Sequence, residues 1–297
     1  MAIAGQAADV FESLDLQSLE LRRGERLMVA VRQNKLATAG LVVVVLTLAL
    51  SLIVPLFYTV DPLATHPDQG LQAPSASHLL GTDTFGRDIL SRILHAARLD
   101  FEIAFSVAGI ALIVGTLLGG LAGYAGGLLS DLVMRIVDLM LSFPAFILAL
   151  AITVMLGNRV LFVIAALAFA YTPYFVRLTR GEVLKLRDAE YADAARVVGN
   201  PPWRVAYRHV FPNSVAPAIV LGSIVLGWSI LDASALGFLG IGIKPPTPEW
   251  GTMVADGSAN ISTGQWWTWL FPGLAILLVV LSFNWVGDGL RNFLRSA

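Results

Sequence analysis

The 297-residue chain has no cysteine and little charge. Without thiols it can form no disulfide, thiolate metal site, iron–sulfur cluster or cysteine nucleophile. Charged residues make up 14% of it, where a soluble domain carries roughly 25%. Its 20 Lys and Arg are balanced by 21 Asp and Glu, a net charge of −1. That balance excludes a strongly basic nucleic-acid binder. Its four histidines (His66, His78, His95 and His209) are scattered, and none has the spacing of an HExxH zinc site. There is no GxSxG nucleophile elbow and no GxxxxGK[ST] phosphate loop. No catalytic residue and no metal-ligand set emerges. Any ATP-driven process would draw its ATPase from another subunit.

Apolar residues are abundant instead. They make up 56% of the chain, and the mean hydropathy is +0.73. A bilayer core about 30 Å thick takes a helix of roughly 20 apolar residues. Six runs meet or approach that length: 36–57, 101–124, 132–156, 160–176, 214–236 and 269–286. They predict an all-α integral membrane protein with six transmembrane helices and no soluble domain. The first run is too long, and follows too long a tail, for a signal peptide, so it is expected to be a retained anchor.

Lys and Arg set the orientation. Arg22, Arg23, Arg26, Arg32 and Lys35 precede the first run. Arg177, Arg180, Lys185, Arg187, Arg196, Arg204 and Arg208 fill the segment 177–213, and Arg291 and Arg295 follow the last run. Both termini and the 177–213 loop are therefore expected on the cytoplasmic side. Residues 1–35 read as a polar tail, with an amphipathic stretch at Ser13–Arg32 suited to the membrane surface. Between Thr84 and Arg98, Phe85, Ile89, Ile93 and Leu94 recur at helical spacing, which predicts an amphipathic helix along the outer surface. Gly115, Gly119, Gly123 and Gly127 fall four apart, as on a face where another backbone approaches closely. Arg135 and Asp138 are spaced to pair on one helix face. Asp232 is the one acid inside the fifth run. It is expected either to hydrogen-bond a neighbouring helix or to line a pathway.

The most specific segment is the 177–213 loop. Asp188 is placed to cap a short helix over 189–198, which Gly199-Asn200-Pro201-Pro202 would stop. Trp203–Val210 reads as a further short helix before Pro212. A short helix with a small-residue face and a sharp end suits docking into a cytoplasmic partner. The loop resembles the EAA motif of ABC importer permeases: an acid followed by two alanines (Asp193, Ala194, Ala195), then Gly199 and a later proline, Pro212. It departs from that motif at Asp193, where glutamate is usual, and at His209, where isoleucine is frequent. The segments 81–92 (GTDTFGRDILSR), 235–242 (ALGFLGIG), 245–251 (PPTPEWG) and 283–291 (FNWVGDGLR) are similar to those of the dipeptide/oligopeptide/nickel subfamily, closest to the C-type permease subunits of dipeptide importers. The resemblance covers residues 36–297.

The resemblance implies a type I ABC importer permease bundle in the bacterial or archaeal cytoplasmic (inner) membrane, forming half of a translocation pathway. It implies a second homologous permease, two cytoplasmic ATPase subunits that bind ATP and Mg, and an extracytoplasmic substrate-binding protein; this chain would hold no cofactor. Glu190, Asp193, Ala194, Ala195, Arg196, Gly199 and Pro212 would couple it to the ATPases. Asp232, Glu249 and Trp250 are the expected pathway or outer-gate residues. Dipeptides are the first expectation for substrate, with nickel, glutathione and oligopeptides as alternatives. A stand-alone channel or secondary carrier is the rival from another class. It would need ion-coupling acids, of which Asp232 is the one candidate, and no repeat of broken helices is evident.

Overall fold

The computed structural model describes residues 34–296. The tail expected over 1–33, including Ser13–Arg32, lies outside the described residues. Long apolar sequences give long helices, because backbone groups in lipid must be satisfied within the segment. The long helices are α1 (Lys35–Phe57), α2 (Ile89–Ala125), α5 (Val160–Arg187), α9 (Ala216–Phe238) and α11 (Trp267–Ser296). A bent pair, α3 (Gly127–Leu141) and α4 (Ala145–Leu156), is together apolar and long enough for a broken span or a re-entrant segment. Shorter helices lie between them: α6 (Glu190–Val197), α7 (Pro202–Val205), α8 (Phe211–Ser214) and α10 (Trp250–Ser258), with a π-helical turn, Ala206–Val210, joining α7 to α8. Among the described residues the non-helical pairing is one antiparallel bridge, Thr82 to Asp88.

Two cores hold the bundle. One joins α2, α4, α5 and α9 through Ile103, Val107, Leu167, Phe175, Val225 and Leu236. The other joins α1, α2, α9, α10 and α11 through Phe101, Ile230, Trp250 and Phe283. Contacts along the helices put Lys35, Ala125, Arg187, Ala216 and the last turn of α11 at one end of the bundle, with α6. The opposite end carries α10 and the 58–88 loop.

The glycine stripe does its work in α2. Side chains added at Gly115, Gly119 and Gly123 would run into α5, which passes parallel to α2. A Cβ at Gly119 would lie 2.5 Å from the Val176 carbonyl oxygen and 3.0 Å from Thr179 Cβ. A carbonyl inside a helix cannot turn aside, so Gly119→Leu is expected to destabilise the bundle by about 2 kcal/mol or more through overpacking. A lowered melting temperature of the purified complex checks this. Gly127 does not belong to the stripe. With Gly126 it forms the turn between α2 and α3, at φ of 65° and 56°, where an L side chain is disfavoured.

Three local expectations change. The apolar run 132–156 is not one straight helix. Pro144 has no N–H to continue α3, so the chain stops at Leu141 and restarts at Ala145 with a bend of 89°. The amphipathic stretch 84–98 is not a separate surface helix: from Ile89 it is the first part of α2, which runs unbroken for 37 residues. At about 1.5 Å per residue this helix far exceeds the bilayer core, so its first turns stand beyond it. Finally, Asp138 pairs with Arg177 on α5 rather than with Arg135 on its own helix.

Candidate functional site

The segment after α5 is built by local signals. Asp188 ends α5 instead of capping the next helix. Ala189 occupies the N-cap of α6 and makes no side-chain bond there. Glu190 and Asp193 stand in the first turn and Arg196 in the last, which matches the helix dipole. Gly199 adopts φ of +87° and donates its N–H to the Arg196 carbonyl at 2.9 Å. Asn200 closes the helix end, donating from its backbone and its side chain to the Ala195 carbonyl.

One face of α6 is anchored. Ala192 is fully buried among Val183, Val205 and Val210, with Ala195 packed beside them. Arg196 donates to the Arg187 carbonyl at 2.6 Å and to Asp193 at 2.5 Å. Tyr124, in the last turn of α2, donates its hydroxyl to the Pro202 carbonyl at 2.8 Å. The other face is bare. Glu190, Tyr191, Asp193 and Ala194 are exposed, and Val197 and Val198 keep 87% and 83% of their surface. Pro212 lies in α8, where the π-helical turn leads into α9. The two bare valines, Tyr124 and Asn200 were not expected as site residues. The Val-Val pair before Gly199 was the available signal.

The opposite end is tied by charge. Asp83 accepts the backbone N–H groups of Phe85 and Arg87 at 2.9 and 3.0 Å and the Arg87 side chain at 2.6 Å. Arg87 also reaches Asp256 at 3.5 Å. Arg92, 2% exposed, donates to the Pro62 and Pro246 carbonyls. Asp88 caps α2 through the Ser91 N–H and takes hydrogen bonds from Tyr58 and His78. Burial pushes the Asp256 carboxyl above its ordinary range, with Arg87 and Arg92 pulling against it.

Glu249 and Trp250, expected at a pathway or outer gate, sit inside this cap. Both are fully buried. Glu249 is the N-cap of α10, accepting from the Gly251 and Thr252 N–H groups at 2.7 Å each. The Trp250 indole donates to the Ile93 carbonyl, and its backbone N–H donates to Asp100. In the loop between α9 and α10, Leu239, Gly240, Lys244, Pro245, Pro246 and Thr247 are exposed. Asp232 is half-buried on α9 and accepts a hydrogen bond from the Tyr171 hydroxyl of α5 at 2.6 Å. The expected site residues therefore separate into the α6 loop, Asp232 within the bundle, and Glu249 with Trp250 in the opposite cap.

Residues 115–296 match the family described as binding-protein-dependent transport system inner membrane component. Residues 28–74 match the N-terminal TM domain of oligopeptide transport permease C. The chain is 44% identical to the dipeptide transport system permease protein DppC of Alkalihalophilus pseudofirmus, over 89% of this chain and 86% of that one. It is 44% identical to the protein of the same name in Escherichia coli, over 89% of each chain. The di/tripeptide transport system permease protein DppC of Pseudomonas aeruginosa is 43% identical over 88% of each. Among solved structures, a chain of the MetNI methionine ABC transporter in inward-facing conformations superposes with a TM-score of 0.57 at 16% identity, covering 69% of this chain and 96% of that one.

Proposed function

The chain belongs to the family of binding-protein-dependent transport system inner membrane components and is a permease subunit of an ABC importer, and from that premise we propose that it carries dipeptides or closely related short peptides inward across a bacterial or archaeal cytoplasmic membrane. The peptide substrate is supported by its likeness to permeases named for dipeptides and di/tripeptides.

The observation that carries the mechanism is α6: anchored on one face, capped at its end, and bare at Val197 and Val198. ATP and Mg are held by two cytoplasmic ATPase subunits, which receive this face. A second homologous permease supplies the other half of the pathway, and an extracytoplasmic binding protein delivers the peptide. The Lys and Arg of the 177–213 loop support a cytoplasmic placement for the α6 end and both termini. Glu190, Asp193, Ala194, Ala195, Arg196, Gly199 and Pro212 form the coupling unit. When the ATPases close, force on α6 passes to α5 through the Arg196–Arg187 bond and to α2 through Tyr124 and Pro202. Because α2 and α5 touch along the glycine stripe, they move as one body. This chain contributes binding and movement, and performs no covalent step.

The test is ATP hydrolysis by the complete complex in lipid vesicles with its binding protein. Stimulation by a dipeptide mixture is the expected result. ATPase activity indifferent to dipeptides would move the substrate to nickel, glutathione or longer peptides. No ATPase accompanying the purified chain would overturn the importer reading.

A further inference from the structure

Asp232 is the one charged residue on α9, six positions before the helix ends at Phe238. An acid at such a depth is retained where it faces protein or water rather than lipid. The Tyr171 hydroxyl fills Oδ2 at 2.6 Å. No hydrogen bond from a described residue reaches Oδ1. Around this carboxylate stand three rings in mutual contact. Trp228 stacks on Tyr171 with centroids 6.0 Å apart, and Tyr174 meets Trp228 edge-on at 6.2 Å. Tyr171 is buried, while Tyr174 is half-buried and Trp228 keeps 37% of its surface. Open ring surface and an open carboxylate oxygen therefore lie side by side.

Helix register places this cluster near a cleft. Tyr171, Tyr174 and Leu178 share one face of α5, and Pro217, Leu221, Ile224, Trp228 and Asp232 share one face of α9 at spacings of three and four. Leu178, Pro217, Leu221 and Ile224 line an open cleft of about 450 Å³ toward the α6 end, with Arg291 at its edge. The cleft walls are otherwise apolar. The acid and the rings lie on the same faces of α5 and α9, one to two turns beyond the residues that line the cleft.

We propose that Asp232, with Tyr174 and Trp228, binds the terminal ammonium group of a peptide as it crosses; this rests on the peptide-importer reading above. An ammonium has three N–H donors and a full charge. One donor suits Oδ1, and the electron-rich faces of Trp228 and Tyr174 attract the cation. Tyr171 holds the carboxylate in place by occupying its other oxygen. Every unblocked peptide carries this group, whatever its side chains, so the site reads the feature that substrates share. The apolar cleft leaves the side chains unspecified. Half-exposure keeps the pair weak enough to release its cargo, as a transit site requires.

A purely structural Tyr171–Asp232 tie makes a different forecast, and Asp232→Asn separates the two. The amide oxygen still accepts from Tyr171, but the charge is gone. The complete complex in vesicles, with dialanine as probe, is the assay. In Asp232→Asn, dialanine uptake is expected to fall about tenfold, the weight of one charge-assisted hydrogen bond, while ATPase stimulation by the loaded binding protein stays within about twofold. Asp232→Glu recovers part of the uptake. Trp228→Leu, which removes a ring but neither partner of the Tyr171–Asp232 bond, lowers uptake in the same way and keeps the test open if Asp232→Asn does not reach the membrane. Uptake unchanged in either Asp232→Asn or Trp228→Leu, with an active wild type, overturns the ammonium site alone. A wild-type complex that does not take up dialanine overturns the peptide reading and this site with it.

Discussion

Uptake is expected to fall by about two orders of magnitude when Val197 and Val198 are both replaced by glutamate, with the permease still folded in the membrane. These side chains keep 87% and 83% of their surface and contribute almost nothing to the fold of the isolated chain. Exposed substitutions of this kind usually change stability by about 0.5 kcal/mol or less. Burying two valines against a partner is worth about 3 kcal/mol or more, and two carboxylates set into that contact would have to be stripped of water. The melting temperature should therefore hold while uptake and co-purification of the ATPases are lost. Gly199→Pro reaches the same end by another route. Proline cannot adopt φ of +87° and has no N–H to give the Arg196 carbonyl, so the helix end is lost and the bare face misaimed. Gly199→Ala is the mild control. Nothing lies within 4 Å of the added Cβ, and the backbone conformation alone is penalised, by about 1 kcal/mol. Uptake at wild-type level in the double glutamate variant would remove α6 as the coupling element.

The difference between what the sequence disclosed and what it hid follows from range. The α6 helix was legible because each of its signals acts within a few residues: acids in the first turn, Arg196 in the last, Gly199 and the prolines after it. The long helices were legible because hydropathy integrates over many residues. The same integration concealed the break at Ser142–Pro144, since apolar residues on both sides fill the window across an 89° bend. It also divided α2, whose amphipathic first turns and apolar remainder form one unbroken helix. Glu249 and Trp250 stand in a Gly/Pro-rich loop and were expected to line a pathway or outer gate, yet both are fully buried. The reason is tertiary: Gly237 and Gly251 let α9 and α10 approach until no room remains for a Cβ at either position. No local pattern reports that approach. Asp232 was visible as an acid in an apolar run, but its aromatic neighbours Tyr171 and Tyr174 come from another helix, and only the packing of α5 on α9 brings them to it.

Replacing Glu249 by alanine is expected to destabilise the cap opposite α6 by about 3 kcal/mol or more, because two buried N–H groups lose their acceptor and a cavity is left. Burial pushes the Glu249 carboxyl up to about 7 from an ordinary 4.5, although the Gly251 and Thr252 N–H groups favour its charged form. The folded protein therefore keeps this proton over a range in which the unfolded chain has released it. Stability is greatest below about 4.5 and declines as pH rises toward about 7, the reverse of a carboxylate held by a salt bridge. Asp256, also raised by burial, acts in the same direction. Melting curves of the purified complex should thus fall in temperature from pH 5 to pH 7.5. Glu249→Gln puts an amide NH2, which cannot accept, where the second carboxyl oxygen takes a helix N–H, so it should melt lower than wild type at pH 5. Having no proton to lose there, it should also depend less on pH, leaving the residual slope to Asp256 and other acids. A Glu249→Gln variant with the full wild-type slope would show that another buried group, not Glu249, holds this proton in the folded protein. Uptake should follow stability rather than lead it, since neither Glu249 nor Trp250 presents any surface to a passing peptide.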